Sequence, residues 1–217
     1  MTGLVMNSTK YIIQEYKIKF PFSKILLVTW TSENVEGLDC EVLQIEKPSW
    51  LKQSESNSPY QFPLNVQILQ VTNGLKNIDC DIVMRCRSDQ FIHNSNIFDI
   101  YFENCGNEKI MIPRFQYKED EFQIVDYCMI ARKEVMNDFW NNQPFFDGSY
   151  YTSVEEYIVK NYIQKFNKDF RPWSEVKTEY FFEQDYDKIF QIEWEKLVML
   201  DEYQVKFRNK LIRESFY

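Results

Sequence analysis

Glycine is scarce in this sequence, five in 217 residues, and histidine scarcer still, with His93 alone. There is no G-x-x-x-x-G-K-S/T phosphate loop, no G-x-G-x-x-G dinucleotide turn and no G-x-S-x-G serine elbow. One histidine excludes an H-E-x-x-H metal helix. The cysteines do not replace it: Cys40, Cys80, Cys86, Cys105 and Cys128 are odd in number, irregularly spaced and without a C-x-x-C pair. They read as reduced thiols, mostly in the core. Long apolar runs are also missing. The stretch Ile25 to Trp30 suits a buried strand, far short of the roughly 20 residues that cross a bilayer. The first residues lack the charged, apolar and small-residue order of a secretory leader. The expectation is a cytoplasmic chain with at most peripheral contact at the inner face of the membrane. A net charge of −8 argues against a nucleic-acid partner, which needs clustered Lys and Arg. What these exclusions leave is carboxylate chemistry, with or without a divalent cation.

An apolar content of 44% supports one substantial core. The reading is a single α/β domain over 1–217, with its core at about 22–166 and a helical C-terminal segment at about 167–217. Lys24–Trp30 and Cys40–Glu46 read as strands, Lys47–Pro63 as a loop, and Val66 to Leu75 as a helix ending near Gly74 and Asn77. Asp81–Arg87 reads as a third strand, ending in Ser88-Asp89-Gln90. Residues before Tyr11 read as a mobile start, and Tyr11 to Phe20 as an edge strand or lead-in. Further on, Ile97–Phe102 reads as a helix, Lys109–Ile112 as a strand, and Phe122–Ile130 as a strand running into a helix from Ala131 to Trp140. Ser153–Phe166 reads as a helix with Glu155 and Glu156 suiting its first turn. The tail from Asp187 to Phe216 reads as helical, its basic cluster Lys206, Arg208, Lys210 and Arg213 as a solvated face. This alternation predicts a mainly parallel sheet flanked by helices, with the first and third strands adjacent and ligands beyond the carboxyl ends.

Two strand ends carry polar residues that a plain core does not require, Thr29-Trp30-Thr31-Ser32-Glu33 and Arg85-Cys86-Arg87-Ser88-Asp89. An acid at such an end can hold a cation that neutralises a departing diphosphate. Asp89 is the candidate. Arg85 and Arg87 could grip diphosphate oxygens in two-point fashion, and Trp30 could stack on a base or ribose. Asp126 follows the apolar stretch Phe122 to Val125, a setting suited to a general base. His93 reads as a surface imidazole or, less simply, a ligand or phosphate contact.

Five pieces in order, Val28-Thr-Trp30, Asn65 and Gln67 leading into Thr72-Asn-Gly-Leu75, Val83-Met-Arg-Cys-Arg-Ser-Asp89, Val125-Asp-Tyr127 and Val154-Glu-Glu-Tyr157, resemble the WavE lipopolysaccharide-synthesis family. The resemblance runs over roughly Phe22 to Phe166. It implies a GT-A-like glycosyltransferase that moves a sugar from a nucleotide-sugar donor to a hydroxyl of a glycan or lipid-linked glycan. By that resemblance Asp89 and Asp126 are catalytic, a divalent cation (manganese or magnesium) sits on Asp89, and Thr29, Trp30, Gln67 and Arg87 contact the donor. Arg87 stands where the first Asp of a D-x-D motif would stand. That departure favours the alternative, a non-catalytic glycan-binding or assembly module.

Overall fold

Leu26–Trp30, five consecutive buried residues, forms strand β1 of a computed structural model that describes residues 1–51, 61–114 and 122–199. The other elements are α1 (Thr9–Lys19), β2 (Glu41–Ile45), α2 (Gln61–Lys76), β3 (Ile82–Cys86), β4 (Gln90–Ile92), α3 (Ile97–Asn104), β5 (Ile110–Arg114) and β6 (Cys128–Arg132). Then come α4 (Lys133–Asn141), α5 (Val154–Lys160, continued by a wide turn over Asn161–Phe166), α6 (Trp173–Tyr180), β7 (Phe181–Asp185) and β8 (Ile192–Trp194). Helices flank sheets in a mixed α/β arrangement, as the alternation predicts.

Strands β1 and β2 pair in parallel, and β3-β6-β5-β7 form a four-stranded sheet in which β6 runs antiparallel to both neighbours. Period-two alternation divides that sheet between two apolar layers. Val83, Met129 and Ala131 face one layer with Trp140, Ile158 and Val176; Cys86, Cys128 and Ile130 face the other with Ile12, Tyr16 and Phe190. The cysteines carry no disulfide, and Cys86, Cys105 and Cys128 are buried.

The expected adjacency of the first and third strands is corrected. Thr2 lies between them, bridging in parallel to Val28 and to Arg87. Val28 N donates to Met1 O at 2.9 Å, Gly3 N to Val28 O at 3.3 Å, Thr2 N to Cys86 O at 3.0 Å and Ser88 N to Thr2 O at 3.1 Å. Residues 1–3 are thus a seam in the sheet, not a loose start. Gly3 is required there: its φ is +141°, and a Cβ would lie 2.4 Å from Ser88 Oγ.

Other boundaries also shift. Thr9–Lys19 is a helix because Ile12, Ile13 and Tyr16 share one buried face at helical spacing. Gln61–Pro63 belongs to the first turn of α2, where a proline is tolerated, and the rest of the expected loop from residue 52 lies outside the described residues. β6 begins only at Cys128, so Asp126 precedes it. The tail is not uniformly helical, since β7 and β8 are strands; its basic cluster lies outside the described residues. Strand β7 adds beside β5 in parallel, giving its buried Phe181 a place in the core that a solvated helix would not. Ser153 caps α5, its Oγ accepting from Glu156 N at 3.0 Å.

Candidate functional site

Arg87 follows the last residue of β3, and its guanidinium closes back on the carboxylate two residues later. Nε donates to Asp89 Oδ1 at 2.9 Å and Nη2 to Oδ2 at 3.1 Å. The side chains are 27% and 19% exposed, so the pair stays open to solvent. Trp194 of β8 lies under the guanidinium, 4.9 Å from ring to Cζ. Burial would raise the Asp89 carboxyl, but hydrogen bonding and charge from Arg87, with help from Trp194 and Lys196, outweigh it and hold the group below its ordinary value. Lys196 is lowered by burial and by the positive charge of Arg87.

One turn of the strand deeper, Arg85 is 4% exposed and buried among polar partners. It donates to the backbone oxygen of Asp126 and, through Nη2, to Gln67 Oε1 at 2.9 Å. Its charge is balanced by Asp126 Oδ2 at 3.7 Å. Burial lowers the Arg85 guanidinium and Asp126 works against that. Two atoms of this cluster, Arg85 Nε and Asp126 Oδ2, are buried with no hydrogen bond. Such atoms cost free energy unless something satisfies them. Glu155, at the start of α5, is raised first by its own burial and then by the negative charge of Asp126, which places a second carboxyl in the cluster.

The structure therefore joins buried Arg85 and Asp126 with half-buried Gln67 in one group, and Arg87 with Asp89 in a second, more exposed one. Thr29 and Trp30 are 0% and 6% exposed within β1, on the far side of Thr2 from Arg87. Asn65 of α2 is a buried bridge: Nδ2 donates to Phe146 O at 2.9 Å and Oδ1 accepts from Phe146 N at 2.8 Å. His93 is neither a surface imidazole nor a ligand. It lies 8% exposed between Glu15 Oε1 at 2.5 Å and Glu193 Oε2 at 2.9 Å. Sequence reading missed Trp194 and Glu155's proximity to Asp126, both of which depend on contacts between distant segments.

Asp89 is the one carboxylate that the sequence offered for a divalent cation, and a cation held by one or two carboxylates takes its remaining ligands from substrate phosphates and water. Both Asp89 oxygens already accept from Arg87, and no group of three or more His, Cys, Asp or Glu converges among the described residues. Among those residues no helix is long and apolar enough to cross a membrane.

What these observations define is a mixed α/β protein with arginine–carboxylate pairs at the carboxyl end of strand β3. A family model described as WavE lipopolysaccharide synthesis matches residues 4–116, more than half of the sequence, and the chain belongs to that family. Membership ties it to lipopolysaccharide synthesis. No curated protein matches the chain. Among solved structures, the 4-diphosphocytidyl-2C-methyl-D-erythritol synthase of Anaerococcus prevotii DSM 20548 gives a TM-score of 0.47 at 12% identity, over 84% of this chain and 81% of that one. HddC from Yersinia pseudotuberculosis gives 0.40 at 12%, over 81% and 75%. The galactosyltransferase LgtC, in complex with donor and acceptor sugar analogs, gives 0.41 at 12%, over 74% and 68%. Likeness at that level says nothing about the chemistry of this chain.

Proposed function

We propose that the protein is a glycosyltransferase that moves a sugar from a nucleotide-sugar donor to a glycan hydroxyl during lipopolysaccharide synthesis. The observation that carries this reading is the pair of arginines two positions apart on and just beyond β3, each facing a carboxylate. A transfer of this kind breaks the bond between the anomeric carbon and a diphosphate oxygen, and the electron pair leaves on the diphosphate. Arg87 answers that charge with a planar fork that matches two phosphate oxygens. It takes the role that the sequence assigned to a cation on Asp89, and Asp89 becomes the residue that aims it. The acceptor hydroxyl forms the new bond to the anomeric carbon and gives its proton to Asp126, whose Oδ2 is free of hydrogen bonds. Burial, and after it the negative charge of Asp126, raises the neighbouring Glu155 carboxyl above its ordinary value.

The test is a panel of nucleotide sugars, offered with lipid-linked glycan acceptors, in which release of nucleoside diphosphate is followed with and without a chelator. Acceptor-dependent release that survives chelation is expected. The rival reading, a non-catalytic glycan-binding module, draws support from Arg87 at the first motif position. It prevails if glycans raise the melting temperature while no nucleoside diphosphate does so and no donor is consumed.

A further inference from the structure

Trp194 ends β8, and the antiparallel register sets it beside Gln90, the first residue of β4. The chain leaving β8 therefore emerges beside Asp89, as a short helical turn over Glu195–Met199. Lys196 of that turn reaches the indole that also carries Arg87. Its Nζ lies 5.3 Å from the centre of the Trp194 ring, and the Arg87 Cζ lies 4.9 Å from it. The two cationic groups are thus within about 10 Å of one another, a distance over which charges are still felt at ordinary salt.

The charge around that ring does not balance. Arg87 and Lys196 bring two positive charges and Asp89 one negative, in a chain whose net charge is −8. Of the neighbouring acids, Glu193 is taken up by His93, and Glu195 is exposed to solvent, where its charge is screened. Partial burial and the charge of Arg87 hold the Lys196 ammonium below its ordinary value, and Asp89 offsets them only in part. Cations gathered against one ring in this way repel one another until an anion joins them. The donors for such an anion are in place. Arg87 gives two of the five N–H donors of its guanidinium to Asp89, and Lys196 adds the three of an ammonium.

We propose that Lys196 is a second catalytic cation, which together with Arg87 holds the diphosphate of the nucleotide-sugar donor beside the Trp194 ring; this rests on the transfer reading given above. A diphosphate carries charged oxygens on both phosphorus atoms, so it answers both cations at once through charge-assisted hydrogen bonds. As the bond from the anomeric carbon to the diphosphate oxygen breaks, its electron pair stays on the diphosphate. Lys196 and Arg87 stabilise the charge gained there, while the acceptor oxygen bonds to the anomeric carbon and its proton passes to Asp126. Trp194 is a positioning residue, attracting both cations to its ring. Two side chains from distant segments then share the leaving-group charge, with Asp89 aiming one of them.

The test titrates the full chain calorimetrically with inorganic diphosphate in the presence of a chelator. Lys196→Ala should weaken binding about tenfold or more, as loss of a charged contact does. Lys196→Met, similar in length but neutral, should behave like the alanine variant, and Lys196→Arg should retain most of the affinity. Equal binding by the methionine and arginine variants overturns the proposal, because a packing role would not follow charge. With a donor that is turned over, Lys196→Ala should lower kcat/KM for that donor by about 10² and leave KM for the acceptor unchanged. If the variants fail to fold, the unaltered chain decides: inorganic diphosphate at millimolar concentration should slow acetylation of Lys196 by an amine-reactive ester severalfold more than that of the exposed Lys188. Equal slowing at the two lysines defeats the claim. Protection by farnesyl diphosphate and by no nucleoside diphosphate overturns the assignment to the donor. Lys196-dependent diphosphate binding without turnover of any nucleotide sugar sinks the transferase reading and leaves the anion site standing, whereas turnover indifferent to Lys196 does the reverse.

Discussion

Arg87 and Asp89 meet through two hydrogen bonds, Nε to Oδ1 at 2.9 Å and Nη2 to Oδ2 at 3.1 Å, with only Ser88 between them in sequence. This pairing aims the guanidinium without burying it. Arg87→Ala should lower kcat for sugar transfer by about 10²–10³, the usual cost of removing one transition-state charge stabiliser. Arg87→Lys should recover little, because an ammonium lacks the fork. Asp89→Asn should lower kcat while leaving nucleotide affinity nearly unchanged. Turnover assays beside calorimetric nucleotide titrations decide the matter, and a loss confined to affinity would count against the assignment.

Asp126 is the partner of a buried guanidinium, so its neutralisation has a structural cost as well as a chemical one. Asp126→Asn keeps the backbone oxygen that Arg85 uses but removes the charge at 3.7 Å. Breaking a buried pair from one side costs about 3 kcal/mol, or a fall of about 9 °C in melting temperature for a chain of this size. Below the new melting temperature, turnover should fall by about 10²–10⁴ with nucleotide binding retained. Retained turnover in the folded variant shifts the base to Glu155.

His93 ties α1 to β4 and β8 through Glu15 and Glu193. Burial lowers the imidazole, but hydrogen bonds and charge from the two glutamates outweigh it, and the net shift is upward from 6.5. A group raised in the folded state stabilises fully below its unfolded pKa, and that contribution disappears as pH climbs through the folded one. Melting temperature should therefore decline as pH rises above the ordinary imidazole value of about 6.5. His93→Gln should flatten the decline, which thermal scans across buffers would reveal. An unchanged slope in the variant would place the sensitivity elsewhere.

Gly3→Ala should strike the site from outside it. The added methyl meets Ser88 Oγ at 2.4 Å, and the backbone at φ +141° is one that side chains rarely adopt. A cost of about 2 kcal/mol follows, lowering the melting temperature by about 4–8 °C. Turnover should drop with it, since Ser88 carries Arg87 and Asp89 on its two sides. Calorimetric scans and a kcat measurement on the same preparation check both parts.

The sequence by itself determined the elements whose stability is local. The continuous apolar run at Leu26–Trp30, the 3.6-residue spacing from Val66 to Leu75 and the serine ahead of Glu155 and Glu156 each act within a few residues, so each was legible. Arg87 and Asp89 were legible as neighbours for the same reason. Tertiary structure decided everything that depends on distant partners. Thr2 takes its place between β1 and β3 only once both edges exist, and nothing in the pattern of residues 1–3 announces that pairing. His93 meets Glu15 from 78 residues away and Glu193 from 100, and Arg85 finds Asp126 across 41. Burial turned His93 from an expected surface imidazole, and Arg85 from a candidate phosphate grip, into partnered groups. The driving reason is that an unpaired charge cannot remain in the core, while which partner reaches it is fixed by how the layers pack.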